Sequence, residues 1–358
     1  MYVKSLELKN FRNIESMSLQ PDPGINLFYG SNAQGKTNIL EAVCLACTTR
    51  SHRGSRDRDI IRIGQKESHI RMVLDRHGNE YRIDVHLRRN KSKGVAINGV
   101  PVKRASELYG ICGIVFFSPE DLNMIKNGPA GRRKFMDALL CSVDRLYMAD
   151  LARYNKCLSQ RNALLHEIAV TGRGMGQLDV WDMQLAECGR RIIGKRRSFL
   201  EEFSERAALA HDTLTGGGER LEILYEPNVA ENMFEEKLAG SRENDLRMKM
   251  TTAGPHRDDL CIRANGMDLR TFGSQGQQRT AALSMKMAEI QTISDSRHDM
   301  PILLLDDVLS ELDRDRQTAL LSCIEHTQTW ITCTGLDEFV KYGFQADRTF
   351  HVVQGGIE

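Results

Sequence analysis

The spacing of apolar and polar positions changes along the chain. Residues 1–29 read as β-strands, ending in the apolar run Ile25 to Tyr29. From Ser68 to Val102, short alternating runs separated by turns such as Asn-Gly predict antiparallel strands. A further buried strand is predicted over Ile111 to Phe117. The first third of the chain is therefore expected to be rich in β-structure.

The middle of the chain has helical spacing. Charged stretches with this period run from about Ala130 to Ala169 and from about Leu178 to His211, with a glycine-rich turn between them. At 1.5 Å per residue, each helix would reach roughly 50 to 60 Å, too long to lie compactly on a small sheet. We therefore expect two antiparallel helices that form an arm or lid. Another polar helix is predicted from about Glu231 to Met248.

The last third returns to a mixed pattern. A hairpin over Leu260 to Leu269 precedes a helix from about Gln277 to Ile293. The stretch Pro301 to Asp307, an apolar run that ends in two carboxylates, predicts a buried strand of the parallel type, and Thr329 to Thr334 predicts another. These patterns together predict an α/β protein with a helical insert.

Composition narrows the functional classes only slightly. The chain has 358 residues, 41% of them hydrophobic, which is enough for one large or two ordinary domains. Its 49 Lys and Arg balance 48 Asp and Glu, so a polyanion-binding site has to come from local clusters. Because the sequence shows neither a signal peptide nor a run of about 20 apolar residues, we expect a cytoplasmic protein.

Nine cysteines are scattered through apolar stretches, which favours reduced thiols over a disulfide framework. Cys44 and Cys47 form a C-x-x-C pair without a second pair elsewhere. Core packing is the favoured interpretation of this pair, and a zinc or redox site is the alternative.

The stretch with the strongest chemical signal is GSNAQGKT, which lies between an apolar strand and a helix-period run. In this spacing, glycines let backbone N–H groups surround phosphates, the lysine meets the β- and γ-phosphates, and the threonine is placed to bind Mg²⁺. The following helix N-terminus adds its positive dipole end. The predicted nucleotide-binding residues are Gly30, Ser31, Asn32, Ala33, Gln34, Gly35, Lys36, Thr37 and Asn38.

An acidic partner follows late in the chain. The strand Pro301 to Asp307 ends in Asp306 and Asp307, as needed to hold Mg²⁺ and polarise water beside a γ-phosphate. The alternative is a helix cap with a solvated loop. Upstream, a serine and a glycine at Ser274 to Gln277 precede a helix and form another candidate anion site.

Basic residues cluster locally at Arg50 to Arg58, Arg88 to Lys93 and Arg132 to Lys134, which are candidate contacts for a nucleic-acid backbone. The first cluster could instead contact nucleotide across an interface, or be a solvated loop balanced by Asp57 and Asp59. For the second, the alternative is a solvated hairpin turn. Arg12 would lie near the nucleotide if its strand neighbours the strand before the loop, and otherwise it is a solvated turn residue.

The motifs GSNAQGKT, SQGQQ, LLLDDVLSELD and ITCT, in this order and with a helical insert, resemble the ATPase heads of the ABC and SMC superfamily. With LELKNFRNIESMSL, FFSPEDLNMIKNGPAGRRKFMD and AGPHRDDL, the chain resembles the RecF family over nearly its whole length. The resemblance implies an ABC/SMC-type P-loop head, a mixed sheet plus an antiparallel β subdomain, with an inserted helical arm. The expected parts are residues 1–125, the arm 126–250, and the head continuation 251–358.

The resemblance also implies roles for individual residues. Lys36 and Thr37 would bind phosphate and Mg²⁺, with Asp306 as the metal-side carboxylate and Asp307 orienting the attacking water. Ser274, Gly276 and Gln277 would reach ATP bound by a second copy of the chain. Glu120 stands where such heads sense Mg²⁺ and water, Ser310 to Asp313 would cross the dimer interface, and Thr334 stands near a switch position usually held by histidine.

Two departures from the motifs of the wider superfamily affect the expected rate of ATP hydrolysis. The signature reads Ser-Gln-Gly-Gln instead of Ser-Gly-Gly-Gln, and Asp307 replaces the usual catalytic glutamate. Because the shorter side chain holds water less closely, we expect slow hydrolysis with ATP acting mainly as a clamp signal.

The function implied by the resemblance is that of a weak, DNA-stimulated ATPase that dimerises on ATP. Such proteins bind gapped DNA and single-strand/double-strand junctions, and work with RecO and RecR to load recombinase. Two alternatives stay open: the nucleotide-binding subunit of an ABC transporter, and a structural SMC-like chromosome-organising head. The helical arm argues against the first, and its short length argues against the second.

Overall fold

The computed structural model of the chain describes residues 1–103, 106–122, 124–322, 324, 327–335 and 345–358. Backbone contacts divide the chain into two compact units. Unit 1 comprises Met1–Asp121 and Glu289–Glu358, and unit 2 comprises Leu122–Ala288. The three-part division at residues 126 and 251 stays a prediction.

The elements are numbered in chain order. The strands are β1 (Tyr2–Phe11), β2 (Ile14–Leu19), β3 (Ile25–Tyr29), β4 (Glu67–Arg76), β5 (Asn79–Arg88), β6 (Lys91–Ile97), β7 (Val100–Pro101), β8 (Ile114–Phe117), β9 (Leu221–Glu226), β10 (Asp259–Ala264), β11 (Met267–Asp268), β12 (Ile302–Asp306), β13 (Thr329–Cys333), β14 (Arg348–Val353) and β15 (Gly356–Ile357). The α-helices are α1 (Lys36–Thr48), α2 (Asp57–Ile60), α3 (Ser106–Tyr109), α4 (Pro119–Leu122), α5 (Pro129–Val143), α6 (Arg145–Thr171), α7 (Leu178–Thr215), α8 (Phe234–Gly240), α9 (Arg242–Met248), α10 (Leu269–Phe272), α11 (Gln275–Arg297) and α12 (Arg314–Ser322).

Unit 1 contains an antiparallel sheet with the strand order β2-β1-β4-β5-β6-β7. Side chains along β4 are alternately exposed and buried over most of its length, as the sequence period of two predicts. The buried face, which includes Leu6, Ile70 and Val85, belongs to the same apolar core as much of α1. Cys44 and Cys47 are buried in that core, which confirms the packing interpretation of the C-x-x-C pair.

The second sheet of unit 1 has the order β15-β14-β3-β13-β12-β8, and its strands run parallel from β14 to β8. Each residue of β12 is buried, as its continuous apolar run predicts. Trp330 on β13 stacks on Phe28 of β3 with ring centroids 5.1 Å apart. Because parallel strands end at the same sheet edge, the segments that follow β3, β8, β12 and β13 meet along one edge.

Unit 2 is mainly helical, and its first predicted helix is interrupted. The prediction of one helix from Ala130 to Ala169 is wrong, because the backbone of Asp144 is extended (φ −125°, ψ 106°) between α5 and α6. The Asp144 carboxylate accepts hydrogen bonds from the backbone N–H groups of Leu146 and Tyr147, at 2.8 and 2.9 Å. It therefore caps a new helix, as aspartate does well.

The second long helix is confirmed as α7, whose 38 residues span about 57 Å. It pairs antiparallel with α6, since Asp150 of α6 binds Arg191 while Arg161, further along α6, binds Asp182, earlier in α7. The predicted helix from Glu231 to Met248 is divided into a 3₁₀ turn and two short helices, α8 and α9. Within the described part of the chain, no helix combines the length and apolar character needed to cross a bilayer.

Candidate nucleotide-binding site

The loop from Gly30 to Gly35 connects β3 to α1 and needs glycine at both ends. Gly30 has φ +147°, and a Cβ there would lie 2.4 Å from the Val352 carbonyl oxygen. Gly35 has φ +114° at the N-cap of α1, and a Cβ would lie 2.8 Å from the Asn13 side-chain oxygen. The glycines therefore give the chain a conformation that other residues rarely adopt.

The Lys36 ammonium lies inside this loop. Lys36 is only 4% exposed, and its Nζ donates hydrogen bonds to the carbonyl oxygens of Gly30 (2.6 Å) and Ser31 (3.1 Å). Ser31, Asn32 and Ala33 form an exposed tip, so the loop has one accessible side. A positive charge held among backbone N–H groups at a helix N-terminus is suited to binding phosphate.

Thr37 and Asp306 are 269 positions apart in sequence but in direct contact. The Thr37 hydroxyl donates a hydrogen bond to Asp306 Oδ1 at 2.8 Å, and the Thr332 hydroxyl donates to the same oxygen at 2.9 Å. Asp306 is 8% exposed, and burial raises its pKa despite these two hydrogen bonds. A buried carboxylate beside a hydroxyl is a set of oxygen donors that fits Mg²⁺.

Asp307 directly follows Asp306 and has a left-handed backbone conformation. It has φ +52°, its N–H donates to the Thr332 hydroxyl at 2.8 Å, and its carbonyl accepts from the Ser310 hydroxyl at 2.8 Å. Among the residues that the structure describes, the Asp307 carboxylate has no hydrogen-bond partner. Its main chain is thus fixed while its side chain can accept a hydrogen bond from another group.

The loop is also held by Asn13, Gln354 and Gly355, which are not among the predicted site residues. The Asn13 amide donates to the Gln34 carbonyl at 3.0 Å, and the Gly355 N–H donates to the same oxygen at 2.9 Å. The Gln354 N–H donates to the Gln34 side-chain oxygen at 2.6 Å, and the Asn38 amide donates to Asn13 Oδ1 at 2.8 Å. In the sequence, the Gln-Gly-Gly stretch near the C-terminus indicates a turn, but it does not indicate what that turn contacts.

The neighbouring-strand premise for Arg12 is wrong, because β1 and β3 belong to different sheets. Arg12 instead binds Glu41 of α1 through Nε (2.9 Å) and Nη2 (2.7 Å). It also donates through Nη1 to the Asp59 carbonyl and through Nη2 to the Ser55 hydroxyl. Among the described residues this leaves one Nη1 hydrogen of the five N–H donors uncommitted. A contact with nucleotide stays a prediction.

Glu41 is fully buried at the base of the loop helix. Burial would raise its pKa, but hydrogen bonds from Arg12 and Ser51 outweigh burial and hold the pKa below its usual range. Glu41 is therefore an anion that fixes Arg12 and Ser51 to α1. This pair could not be predicted from the sequence, because its two residues lie on different elements.

The other predicted site residues of unit 1 also follow parallel strands. Glu120 is exposed in α4, just after β8, and Thr334 is exposed just after β13. Ser310 and Asp313 are exposed between β12 and α12. The structure thus supports their placement at the carboxyl edge of the parallel sheet, while their roles stay predictions.

The signature residues Ser274, Gly276 and Gln277 lie in unit 2 at the start of α11. The Ser274 N–H donates to Gln277 Oε1 at 3.0 Å, and the Gln277 N–H donates to Ser274 Oγ at 3.2 Å. This reciprocal pair is a capping box. The Gln277 side-chain amide also donates to Glu219 at 2.7 Å, so a residue that follows α7 orients it.

The prediction that the basic cluster Arg132 to Lys134 contacts a polyanion is wrong for Arg132. Arg132 is 1% exposed and binds both carboxylate oxygens of Asp259, at 2.7 and 2.8 Å, so it stabilises unit 2 instead of facing a polyanion. The other two clusters meet in unit 1, where Lys93 donates to the Thr49 carbonyl (2.6 Å) and the Asp57 carboxylate (3.0 Å).

Comparisons with known proteins agree with this architecture. The family model for the RecF/RecN/SMC N terminal domain matches residues 2–354. The chain is 54% identical to the DNA replication and repair protein RecF of Agathobacter rectalis, over all of this chain and 99% of that protein. It is 36% identical to the solved structure of the recombination mediator protein RecF-ATP in the RecFOR pathway, with a TM-score of 0.92, covering 100% of this chain and 97% of that one.

A more distant structure, the SMC head bound to the C-winged helix domain of ScpA, is 16% identical with a TM-score of 0.57 over 100% of this chain and 96% of that one. It supports the fold alone. The predicted fold class, an ABC/SMC-type ATPase head with a helical insert, is confirmed. From its phosphate loop, its fold and its full-length similarity, the chain belongs to the RecF family, within the group described by the RecF/RecN/SMC N terminal domain model.

Proposed function

We propose that the chain is an ATP-dependent DNA-binding repair protein that uses ATP as a clamp signal. The observation that carries this proposal is the contact between the Thr37 hydroxyl and Asp306 at 2.8 Å, beside the buried Lys36 ammonium. These are the groups that a phosphate-loop ATPase needs on one side of its nucleotide. Family membership and the ATP-bound relative of 36% identity support the same conclusion.

Within this site, Lys36 would contact the β- and γ-phosphates, and the loop N–H groups from Gly30 to Thr37 would bind their oxygens. Thr37 and Asp306 would hold Mg²⁺, which when bound neutralises charge on the phosphates. Asp307 would accept a hydrogen bond from the attacking water. Since Asp307 is one methylene shorter than glutamate, it reaches less far from its fixed backbone, and hydrolysis is expected to be slow.

The nucleotide site would be completed by a second copy of the chain. Ser274 is exposed at a helix N-terminus, and Gln277 is fixed by its capping box and by Glu219. These features favour the N-terminus of α11 as the surface that reaches ATP in the partner subunit. ATP would therefore stabilise a dimer, and ADP would not.

The DNA partner is argued from charge and from the relatives. Arg58 and Lys91, which belong to the two basic clusters of unit 1, are exposed. Such side chains bind a duplex backbone without reading bases. Relatives are named DNA replication and repair proteins, and a solved relative is described as a recombination mediator in the RecFOR pathway. We therefore propose gapped DNA and single-strand/double-strand junctions as substrates, with RecO and RecR as partners in recombinase loading.

The test measures oligomeric state and duplex binding of the full chain with ATP, with ADP and without nucleotide. We expect ATP to raise both dimerisation and DNA affinity, and Lys36→Met to abolish these increases. The matched control is Lys66→Met, since Lys66 is an exposed lysine of the same unit outside the phosphate loop. If ATP changes neither property, or if Lys36→Met behaves as Lys66→Met does, the proposal fails.

The role of Asp307 needs a separate experiment. Asp307→Asn keeps the side-chain size but loses the negative charge that orients water. We expect ATP to bind and the dimer to persist, because hydrolysis no longer dissolves it. Single-turnover phosphate release from Asp307→Asn at the wild-type rate would remove this residue from the proposed mechanism.

A further inference from the structure

Two histidines and a glutamate meet on the exposed face of the antiparallel sheet, away from the phosphate loop in sequence. Glu67 and His69 are two positions apart on β4, so their side chains point to the same face. His86 on β5 is the register partner of His69. Adjacent cross-strand residues of this kind have Cβ atoms about 5 Å apart, which places both imidazoles over one patch of sheet.

The side chains converge more closely than their positions require. The imidazole rings of His69 and His86 stack with centroids 3.9 Å apart. His86 Nε2 lies 2.9 Å from Glu67 Oε2. One ligand atom from each of the three residues lies within 4.8 Å of the other two.

We propose that Glu67, His69 and His86 form a binding site for a divalent transition-metal ion of the zinc class. Two imidazoles and one carboxylate are a ligand set that Zn²⁺ uses in sites with an open position. Zinc bonds of about 2.0–2.2 Å require ligand atoms roughly 3.5 Å apart, so side-chain rotation of about 1 Å closes the site. The strands hold the three Cα positions and need not move.

The local geometry lets the ligand atoms turn toward a metal ion. A metal ion would replace the hydrogen that His86 shares with Glu67. On the other side of His86, its β6 register partner is Gly94, whose missing side chain leaves room for the imidazole to rotate.

One nearby cation acts against metal binding. Lys9 on β1 is the register partner of His69 on its other side, so its positive charge repels a cation bound there. Lys9 is exposed, so its ammonium can turn toward solvent. Removing this charge should strengthen metal binding, whereas a purely nonspecific surface association would not depend on this one residue.

The test is calorimetric titration of the full chain with Zn²⁺ in the presence of excess Mg²⁺, which competes for the proposed Thr37–Asp306 site. We expect one zinc site that is weakened about 100-fold by His69→Ala or His86→Ala, and roughly ten-fold by Glu67→Gln. Lys9→Gln should tighten it by about two- to five-fold at low salt. His166→Ala, at an exposed histidine in unit 2, is the matched control and should change nothing.

Thermal midpoints measured without metal show whether each variant folds, and Co²⁺ spectra identify the ligands independently of folding defects. A wild-type spectrum of nitrogen and oxygen ligands, lost in the double variant His69→Ala/His86→Ala, supports the site. Thiolate charge-transfer absorption in the wild type would assign the metal to cysteines and overturn the proposal. Equal Zn²⁺ affinity in the wild type and the double variant would overturn it as well.

Discussion

The ion pair between Arg12 and Glu41 allows a sharp test of how the phosphate-loop helix is held. The two side chains share two hydrogen bonds of 2.9 and 2.7 Å, and Glu41 has no exposed surface. The perturbation is Arg12→Ala, which leaves a buried carboxylate with Ser51 and a more distant Arg53 at 3.9 Å. We expect this variant to lower the free energy of unfolding of unit 1.

The size of this loss of stability follows from the burial of the two side chains and from their charges. Removing one partner of a buried ion pair costs about 3–5 kcal/mol. The Arg12 side chain is 18% exposed, so water screens part of the interaction and we expect about 2–3 kcal/mol. Glu41→Gln should cost only about 1–2 kcal/mol, since the guanidinium keeps its Ser55 and Asp59 acceptors. The double variant should cost about 1–2 kcal/mol less than the sum, because no unpaired charge remains buried.

The assay uses the two tryptophans of the chain. Trp330 is fully buried in unit 1, whereas Trp181 belongs to unit 2. In a Trp181→Phe background, urea unfolding followed by fluorescence therefore reports on unit 1 alone. ATP affinity is measured on the same four proteins: the background, each single variant and the double variant.

The pH dependence of stability independently checks whether the Glu41 carboxylate stabilises the folded chain as an anion. The pKa of Glu41 is lower in the folded chain than in the unfolded one. Its contribution to stability is therefore fully present above the usual glutamate pKa of about 4.3, and is lost as pH falls through the folded value. Glu41→Gln should remove this acid-dependent loss while leaving the slope near pH 7 unchanged.

Two results would refute the structural account of the pair. One is a cost below about 0.5 kcal/mol for Arg12→Ala, as expected for a surface residue. The other is strict additivity of the two substitutions. If the double variant recovers stability but not ATP affinity, Arg12 contacts nucleotide directly, which is one of the two alternatives drawn from the sequence.

Three further predictions concern the site and its surroundings. Thr332→Val removes the hydroxyl hydrogen bond to Asp306, which is worth about 1–2 kcal/mol. This variant should lower kcat for phosphate release roughly ten-fold, and an unchanged kcat would contradict the prediction. Lys91→Ala should weaken duplex binding, measured by fluorescence anisotropy, and should reduce the slope of log K against log salt concentration by about 0.9. Arg132→Ala should leave that slope unchanged and destabilise unit 2 by roughly 3 kcal/mol. Gly30→Ala should abolish binding of labelled ATP, because the new Cβ would meet a carbonyl at 2.4 Å; Gly128→Ala, where the space is open, is the control.

Local elements were predictable where a single segment carried its own signal. The strand-loop-helix around Gly30 to Thr37 and the buried strand β12 appeared as expected, because glycine positions and apolar runs act on their own backbone. The break between α5 and α6 was missed, although Asp144 is a good N-cap, because the helical period continues on both sides of it. The basic segment at Arg132 was misinterpreted because its acceptor, Asp259, is 127 positions away.

The motifs of this chain can be identified from local signals: a phosphate-loop pattern, a carboxylate pair after a buried strand, and a serine ahead of the signature helix. Which residues surround them depends on the tertiary fold. Because β13 lies between β3 and β12, Thr332 shares Asp306 with Thr37, and because β14 flanks β3, the turn after β14 holds Gln34. These contacts could not be predicted because hydrogen bonds between sheet neighbours depend on strand order, and strand order is set by packing of the whole unit, which no single segment specifies.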